Sequence, residues 1–596
     1  MISVIRFFIF LLLAAMASVK LLAQQPNAAL HQLFEKYYDR ESYFNPFQAT
    51  ANGIHQYDDL LPNEGSASFI AARKAFYQST LTSLHKFERP SLSAADQLYY
   101  DILEYMLNMD IEGLSLHLEY LPFNQFTAAI PKDMASFGSG DGPQPFATVK
   151  DYENWSKRMM AFKDWTDTTL ANFEKGKKMG MVLPKDLVLK MIPQMTALAE
   201  KDTTKCIFYA PVRKFPASFS ADSKRRLTAM YQRIIPAYVL HSYDTLANYL
   251  KNDYLPYAQD QPGLHALPGG DSLYRYFIRQ YTTTAALSPD SIYNLGISEV
   301  NRITLAMEEN KRINGFQGTL PAYFYFLRTD PKFRPFKQPE EVLNAYRAIY
   351  QKIQPHLRNF FENEPETPFV IRRVDPFQEA AMGGPYYIKG NLKEHRPGTF
   401  YVPVPDATKI NVVFYGLECT FIHEAIPGHH YQIALQQEQA GLPAFLQQNA
   451  LYAFMEGWAL YCESLGDSLG CYTDAYQKMG ALNNEIHRAI RLVVDVGIHT
   501  GKLSKAQAIQ YMMDHESISK EIATAEIERY MAWPGQSLSY KIGELKIKSL
   551  KEKYKQLQGN RFSVPAFHTA ILKYGCMPLD VLERYLDAWN EAQLKV

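Results

Sequence analysis

Apolar residues return every three or four positions along most of this chain, the spacing that gathers them on one face of a helix. The pattern predicts helices over residues 152–175, 288–311, 339–362 and 481–498. Ser288-Pro289 opens one of them, with a hydroxyl that can cap free N–H groups and a proline suited to a first turn. Alternation with period two is scarce. Its best example is 385–403, where Tyr386-Tyr387-Ile388 and Thr399-Phe400-Tyr401-Val402 are expected to pair as strands across a polar turn at 394–398. Loop signals stand at 136–145 and 259–271, and no solenoid-type repeat is present. The expected fold class is mainly α and two-lobed. A helical N-terminal lobe covers 24–380, and a second helical lobe over 381–596 begins with the small β element at the cleft between them.

Composition supplies a large core. Of the 596 residues 47% are hydrophobic, with 40 Tyr and 35 Phe, and nothing resembles a disordered or low-complexity chain. Lys+Arg and Asp+Glu are both 62, and no basic run stands out, so nucleic acid is not expected as a partner. Residues 1–23 have the layout of a secretory signal peptide: Arg6, the apolar stretch 7–15, then small residues at Ala15-Met16-Ala17 and at Ala23. The apolar run is short of the about 20 residues a membrane span needs, and Lys20 interrupts it. An exported protein is expected, periplasmic or secreted, without stable membrane insertion after cleavage; an uncleaved anchor is the alternative. No Cys stands near either cleavage position, which argues against a lipoprotein. The five cysteines, Cys206, Cys419, Cys462, Cys471 and Cys576, leave at least one unpaired, and a bridge between Cys462 and Cys471 is left open. No CxxC cluster offers a thiolate zinc site.

The chemistry-bearing stretch is His423-Glu424-Ala425-Ile426-Pro427-Gly428-His429-His430. Two histidines four residues apart on a helix, with Glu beside the first, hold zinc and polarise a water. Here the fourth residue after His423 is Pro427, so the plain spacing fails. Pro427 lacks a backbone donor and disfavours helix at Ile426, while Gly428 permits unusual backbone angles. On an unbroken helix His429 would lie about 240° round from His423, and His430 about 10 Å farther along the axis. A break in the predicted helix 412–426 would bring His429 to the place of the second ligand. His429 is therefore favoured, conditional on that break, with His430 the alternative. A third ligand is expected from the apolar helix 449–465, where Glu456 sits among Leu451, Phe454, Met455, Trp458, Ala459 and Tyr461. A buried carboxylate needs a partner, either zinc or a basic side chain. Glu463 is either an acceptor for a ligand imidazole or solvent-exposed.

His423-Glu-Ala-Ile-Pro-Gly-His-His430 followed by Phe454-Met-Glu-Gly-Trp-Ala-Leu-Tyr461 resembles a bacterial family catalogued as a domain of unknown function, whose members look like gluzincin-type zinc peptidases. The likeness covers most of the mature chain, through Gly180-Met-Val-Leu-Pro184, Tyr281-Thr-Thr-Thr284, Arg491-Leu-Val-Val-Asp-Val-Gly-Ile-His499, Pro534-Gly-Gln-Ser-Leu-Ser-Tyr540 and Pro578-Leu-Asp580. It implies one Zn2+ per chain, a zincin-like helical fold with 381–596 as the zinc-binding catalytic lobe, and hydrolysis of peptide substrates by an oligopeptidase or carboxypeptidase-like enzyme. It maps His423, His429 and Glu456 onto the metal and Glu424 onto the general base. Cys462 and Cys471 stand where small residues are the pattern.

Further candidates surround this site. Tyr540, presented by the Pro534-Gly535 turn, is the first choice for donor to a tetrahedral oxyanion and His499 the second; packing is the alternative for both. Arg488 and Arg491 are candidates for holding a substrate carboxylate, against the simpler reading of solvated helix faces. Asp495 either orients a ligand histidine or pairs with Arg491 four residues earlier. Tyr386 and Tyr387 are candidates for binding extended substrate at a sheet edge, with Gly383-Gly384 allowing close approach; a structural hairpin is the alternative. Two other functions stay in view: a non-catalytic secreted helical protein that binds peptides or glycans, and a zinc hydrolase of a non-peptide amide or ester.

Overall fold

Capping residues delimit the long helices. Ser288 accepts from the Ser291 N–H at the start of Pro289–Ile313. Thr148 and Asp151 cap Val149–Met179 reciprocally, and that helix ends on Gly180 in the left-handed region (φ 73°). The computed structural model describes residues 26–127, 129–376, 379, 383–392, 395–414 and 416–595; the expected signal peptide at 1–23 lies outside them. The helix expected over 481–498 starts earlier, as Ala475–His499, because Asp474 accepts from two N–H groups of its first turn. The one expected over 339–362 stops as Pro339–Ile353 and tightens into the short turn Gln354–Asn359, where Pro355 removes a donor.

The chain is mainly helical. Among the described residues, β structure forms one three-stranded sheet of β1 (Phe369–Arg373), β2 (Tyr386–Ile388) and β3 (Gly398–Val402), in the order β1-β3-β2. The foreseen pairing is present: β2 and β3 run antiparallel, with Tyr386 opposite Tyr401 and Tyr387 opposite Phe400. β1 is an addition, parallel to β3 with Ile371 opposite Phe400. A border at residue 380 therefore falls inside the sheet.

The apolar core crosses that border too. Leu30, Phe34 and Tyr37 belong to the same buried cluster as Phe445, Trp458 and Leu586, and the Phe34 ring lies 5.2 Å from that of Phe445. A second cluster gathers Trp155, Trp165, Phe208 and Tyr243, and a third joins Val300, Ile490 and Tyr530. All five cysteines are buried and free, so Cys462 and Cys471 do not pair. No described helix is long and apolar enough to cross a membrane.

Candidate metal centre

His423 and Glu424 end the helix Leu417–Glu424, and His429 begins the helix His429–Glu438. The helix stops two residues before the expected Ile426. Gly428 is required by space: a Cβ there would lie 1.9 Å from the His423 carbonyl oxygen and 2.4 Å from that of Ile422. The Ile426–Pro427 peptide is cis. The Trp458 indole N–H donates to the Pro427 carbonyl at 3.0 Å, tying the turn to the helix Tyr452–Glu463.

This turn folds His429 back over His423, with ring centroids 4.8 Å apart and planes at 83°. Glu456 Oε2 lies 3.2 Å from His423 Nε2 and 3.4 Å from His429 Nε2. One ligand atom from each of the three residues falls within 4.8 Å of the others. His430 points elsewhere. Its Nδ1 meets the Tyr387 hydroxyl at 3.0 Å, its ring packs 4.9 Å from that of Phe369, and burial pushes its pKa down to about 4. The structure thus brings His429, and not His430, to the cluster.

Glu463 is buried. Its Oε1 lies 2.7 Å from His423 Nδ1, an arrangement that fixes the imidazole with Nε2 toward Glu456. Its Oε2 accepts from the Cys419 thiol at 2.7 Å, and Arg488 stands 3.6 Å from Oε1. Burial works to raise the Glu463 carboxyl, but the Arg488 charge and the bond to His423 hold it below its ordinary value. His423 is lifted to about 10: burial opposes its charge, and Glu456 and Glu463 outweigh burial. The partly buried Glu424 carboxyl is raised by burial and by Glu456, against the pull of His429 and His423. Of the carboxylates of Glu424, Glu456 and Glu463, the last stands against Arg488, while Glu456 faces the two imidazoles. Two imidazole nitrogens and a carboxylate oxygen facing one point fit a divalent zinc ion.

Tyr540 stands beside this cluster, its ring stacked on that of His423 at 6.3 Å. It follows the turn at Gly535 (φ 78°), where a side chain is disfavoured. Asp495 fastens that turn, accepting from the Gly535 N–H at 3.1 Å, the Ser537 hydroxyl at 2.8 Å and the Tyr274 hydroxyl at 2.7 Å. Asp495 therefore neither orients a ligand histidine nor pairs with Arg491, because its carboxylate is filled by these donors.

Two other expectations, for His499 and Arg488, are corrected. His499 is buried with its Nδ1 accepting from the Leu264 N–H at 3.2 Å and its Nε2 donating to the Tyr530 carbonyl at 3.0 Å, so neither nitrogen is left for an oxyanion. Arg488 donates from Nη1 to Asn484 and stands with Nη2 3.6 Å from Glu463, so the paired ends of its fork are taken within the protein, although its Nε is buried without a partner. The Tyr387 hydroxyl meets His430 and Tyr386 stacks on Tyr401 at 5.4 Å, while β2, which carries both, lies at an edge of the sheet. Arg491 does approach the site, its guanidinium 4.6 Å from the centre of the Tyr540 ring. Arg529, which the sequence reading passed over, reaches the Tyr540 side chain as well. Its signal was its place on the helix Lys520–Ala532, which leads straight into the Pro534-Gly535 turn.

No curated protein matches the chain. Two solved structures share its fold. One, described as a putative lipoprotein from Colwellia psychrerythraea, is 25% identical with a TM-score of 0.84, over 95% of this chain and 99% of that one. The other, described as a putative lipoprotein of unknown function from Shewanella oneidensis, is 17% identical with a TM-score of 0.74, over 94% of this chain and 100% of that one. Residues 46–586 match the family described as bacterial protein of unknown function (DUF885), and the chain belongs to that family.

Proposed function

We propose that the protein is an exported zinc-dependent peptidase. The observation that carries this reading is the convergence of His423 Nε2, His429 Nε2 and Glu456 Oε2, with Glu424 directly after the first histidine. His423, His429 and Glu456 would hold one Zn2+. Zinc in such a set polarises a scissile carbonyl and makes a water more acidic. Glu424 accepts a proton from the attacking water as its oxygen bonds to the carbonyl carbon. It then delivers the proton to the amide nitrogen as the C–N bond breaks. Tyr540 donates its hydroxyl proton in a hydrogen bond to the carbonyl oxygen as charge gathers there. Glu463 keeps His423 in one tautomer and orientation. The N-terminal layout of residues 1–23 and the lipoprotein description of the Colwellia relative support export.

The test pairs metal analysis with Glu424→Gln. The purified protein should contain zinc and cleave peptides. The variant should keep the metal and lose activity by roughly 100-fold or more. Full activity in Glu424→Gln would remove it as the base, and a protein that takes up no zinc would overturn the reading.

A further inference from the structure

We infer that this site selects its substrate by a carboxylate, held by Arg529 and Arg491 beside Tyr540. The inference rests on the peptidase reading for the bond that is cut, but the binding of the carboxylate is testable without it.

Two guanidinium groups beside Tyr540 have donors that nothing in the protein fills. Arg491 is 5% exposed. Its Nε donates to the Tyr530 hydroxyl at 3.0 Å, and its Nη2 lies 3.2 Å from Glu526 Oε2 and 3.1 Å from His487 Nε2. Its Nη1 is buried without a partner. Arg529 donates from Nη2 to Gln536 Oε1 at 3.0 Å and stands 3.8 Å from Glu526, while its Nε is buried without a partner. Two guanidinium groups thus share one carboxylate, Glu526. The nearby Glu516 is occupied by His487 at 2.8 Å. Two guanidinium N–H groups without partners, Arg491 Nη1 and Arg529 Nε, are left next to the residue assigned to the oxyanion. Buried charged donors are costly to leave unpaired, and a planar fork of N–H groups matches a carboxylate.

The surroundings keep the position reachable. The Arg529 side chain is 19% exposed. Its guanidinium lies 5.5 Å from the Phe126 ring, which packs against Trp533, and Trp533 in turn meets Tyr452 at 5.4 Å. Phe126 and Tyr452 are 40% and 36% exposed, and Tyr452 lies one turn before Glu456 on the same helix. A cation beside the exposed Phe126 ring, with Tyr452 exposed nearby, suits a carboxylate carried on a partly apolar group. A peptide offers two such carboxylates, its C-terminus and the side chains of Asp or Glu.

The experiment measures binding to the zinc-loaded Glu424→Gln protein by calorimetry. The probes are one peptide as free acid and as C-terminal amide, and amidated peptides differing by Glu against Gln. A carboxylate form should bind about tenfold tighter than its neutral counterpart, and Arg529→Gln should bring it down to the neutral level. Which pair shows the difference assigns the carboxylate to the terminus or to a side chain. Equal binding within both pairs, or a preference that survives in folded Arg529→Gln, overturns the proposal. Arg529→Lys, which keeps charge but not the fork, should recover only part of the difference. If the preference holds while the wild-type protein cleaves neither peptide, the carboxylate site stands and the peptidase reading falls. If the wild-type protein cleaves acid and amide, and Glu and Gln peptides, with equal kcat/KM, the carboxylate site falls alone.

Discussion

Gly457 and Gly543 meet where the helices Tyr452–Glu463 and Ser539–Gln558 cross: a Cβ on Gly457 would lie 2.5 Å from the Gly543 Cα, and one on Gly543 would lie 2.0 Å from the Ala453 carbonyl oxygen. Glu456 precedes the first glycine and Tyr540 lies three residues before the second, so this backbone contact sets the spacing between the two. Gly543→Ala should force the helices apart and cost about 2 kcal/mol or more, as overpacking does. Denaturant unfolding of the metal-free protein measures that loss, and zinc retention should fall with it.

Glu463 holds His423 Nδ1 at 2.7 Å with no water between them. Glu463→Gln keeps the shape but removes the charge. Zinc affinity should drop roughly 10–100-fold, read by competition with a chromogenic chelator. An unchanged affinity would mean that the imidazole needs no such support.

The adjacent histidines should separate cleanly. His429→Ala removes one of the three converging donors and should abolish stoichiometric zinc. Tyr387→Phe takes the partner from His430 Nδ1 and should cost about 1 kcal/mol of stability while leaving zinc content intact. Metal analysis and thermal unfolding of the two variants decide the assignment.

Asp495 carries a pH signature. Burial pushes its carboxyl from 3.8 up to about 7, against the bonds from Tyr274, Ser537 and Gly535. Between those values the folded chain keeps a proton that the unfolded chain has released. Its contribution to stability is therefore full below about pH 4 and is lost as pH rises toward 7. The stability of wild type minus that of Asp495→Asn should shrink over this window. Urea unfolding of both proteins at several pH values checks the slope.

The long helices and the cluster around His423 were legible because each depends on local rules: apolar spacing, caps, and a Pro-Gly pair that cannot continue a helix. The break came early because Gly428 must pass within reach of two carbonyl oxygens, a constraint set by the third dimension. His499 looked chemical but is a core histidine, satisfied by Leu264 and Tyr530, which are distant in the chain. Asp495 and Arg491 sit four residues apart on one helix, yet the turn at Gly535 claims the acid. β1 is five residues long and pairs in parallel with a strand well downstream, so no local pattern announced it. Arg529 meets Tyr540 only through the fold of the intervening turn.

Phe445, on the short segment between the second histidine and Glu456, rests against Phe34 and Tyr37 from the helix Ala28–Phe44. The half of the molecule that bears the histidines is consequently not a transplantable module. A fragment begun at 381 would lack β1 and would bare Phe445 and its neighbours to water, leaving the ligand-bearing helices without the surface they are seated on.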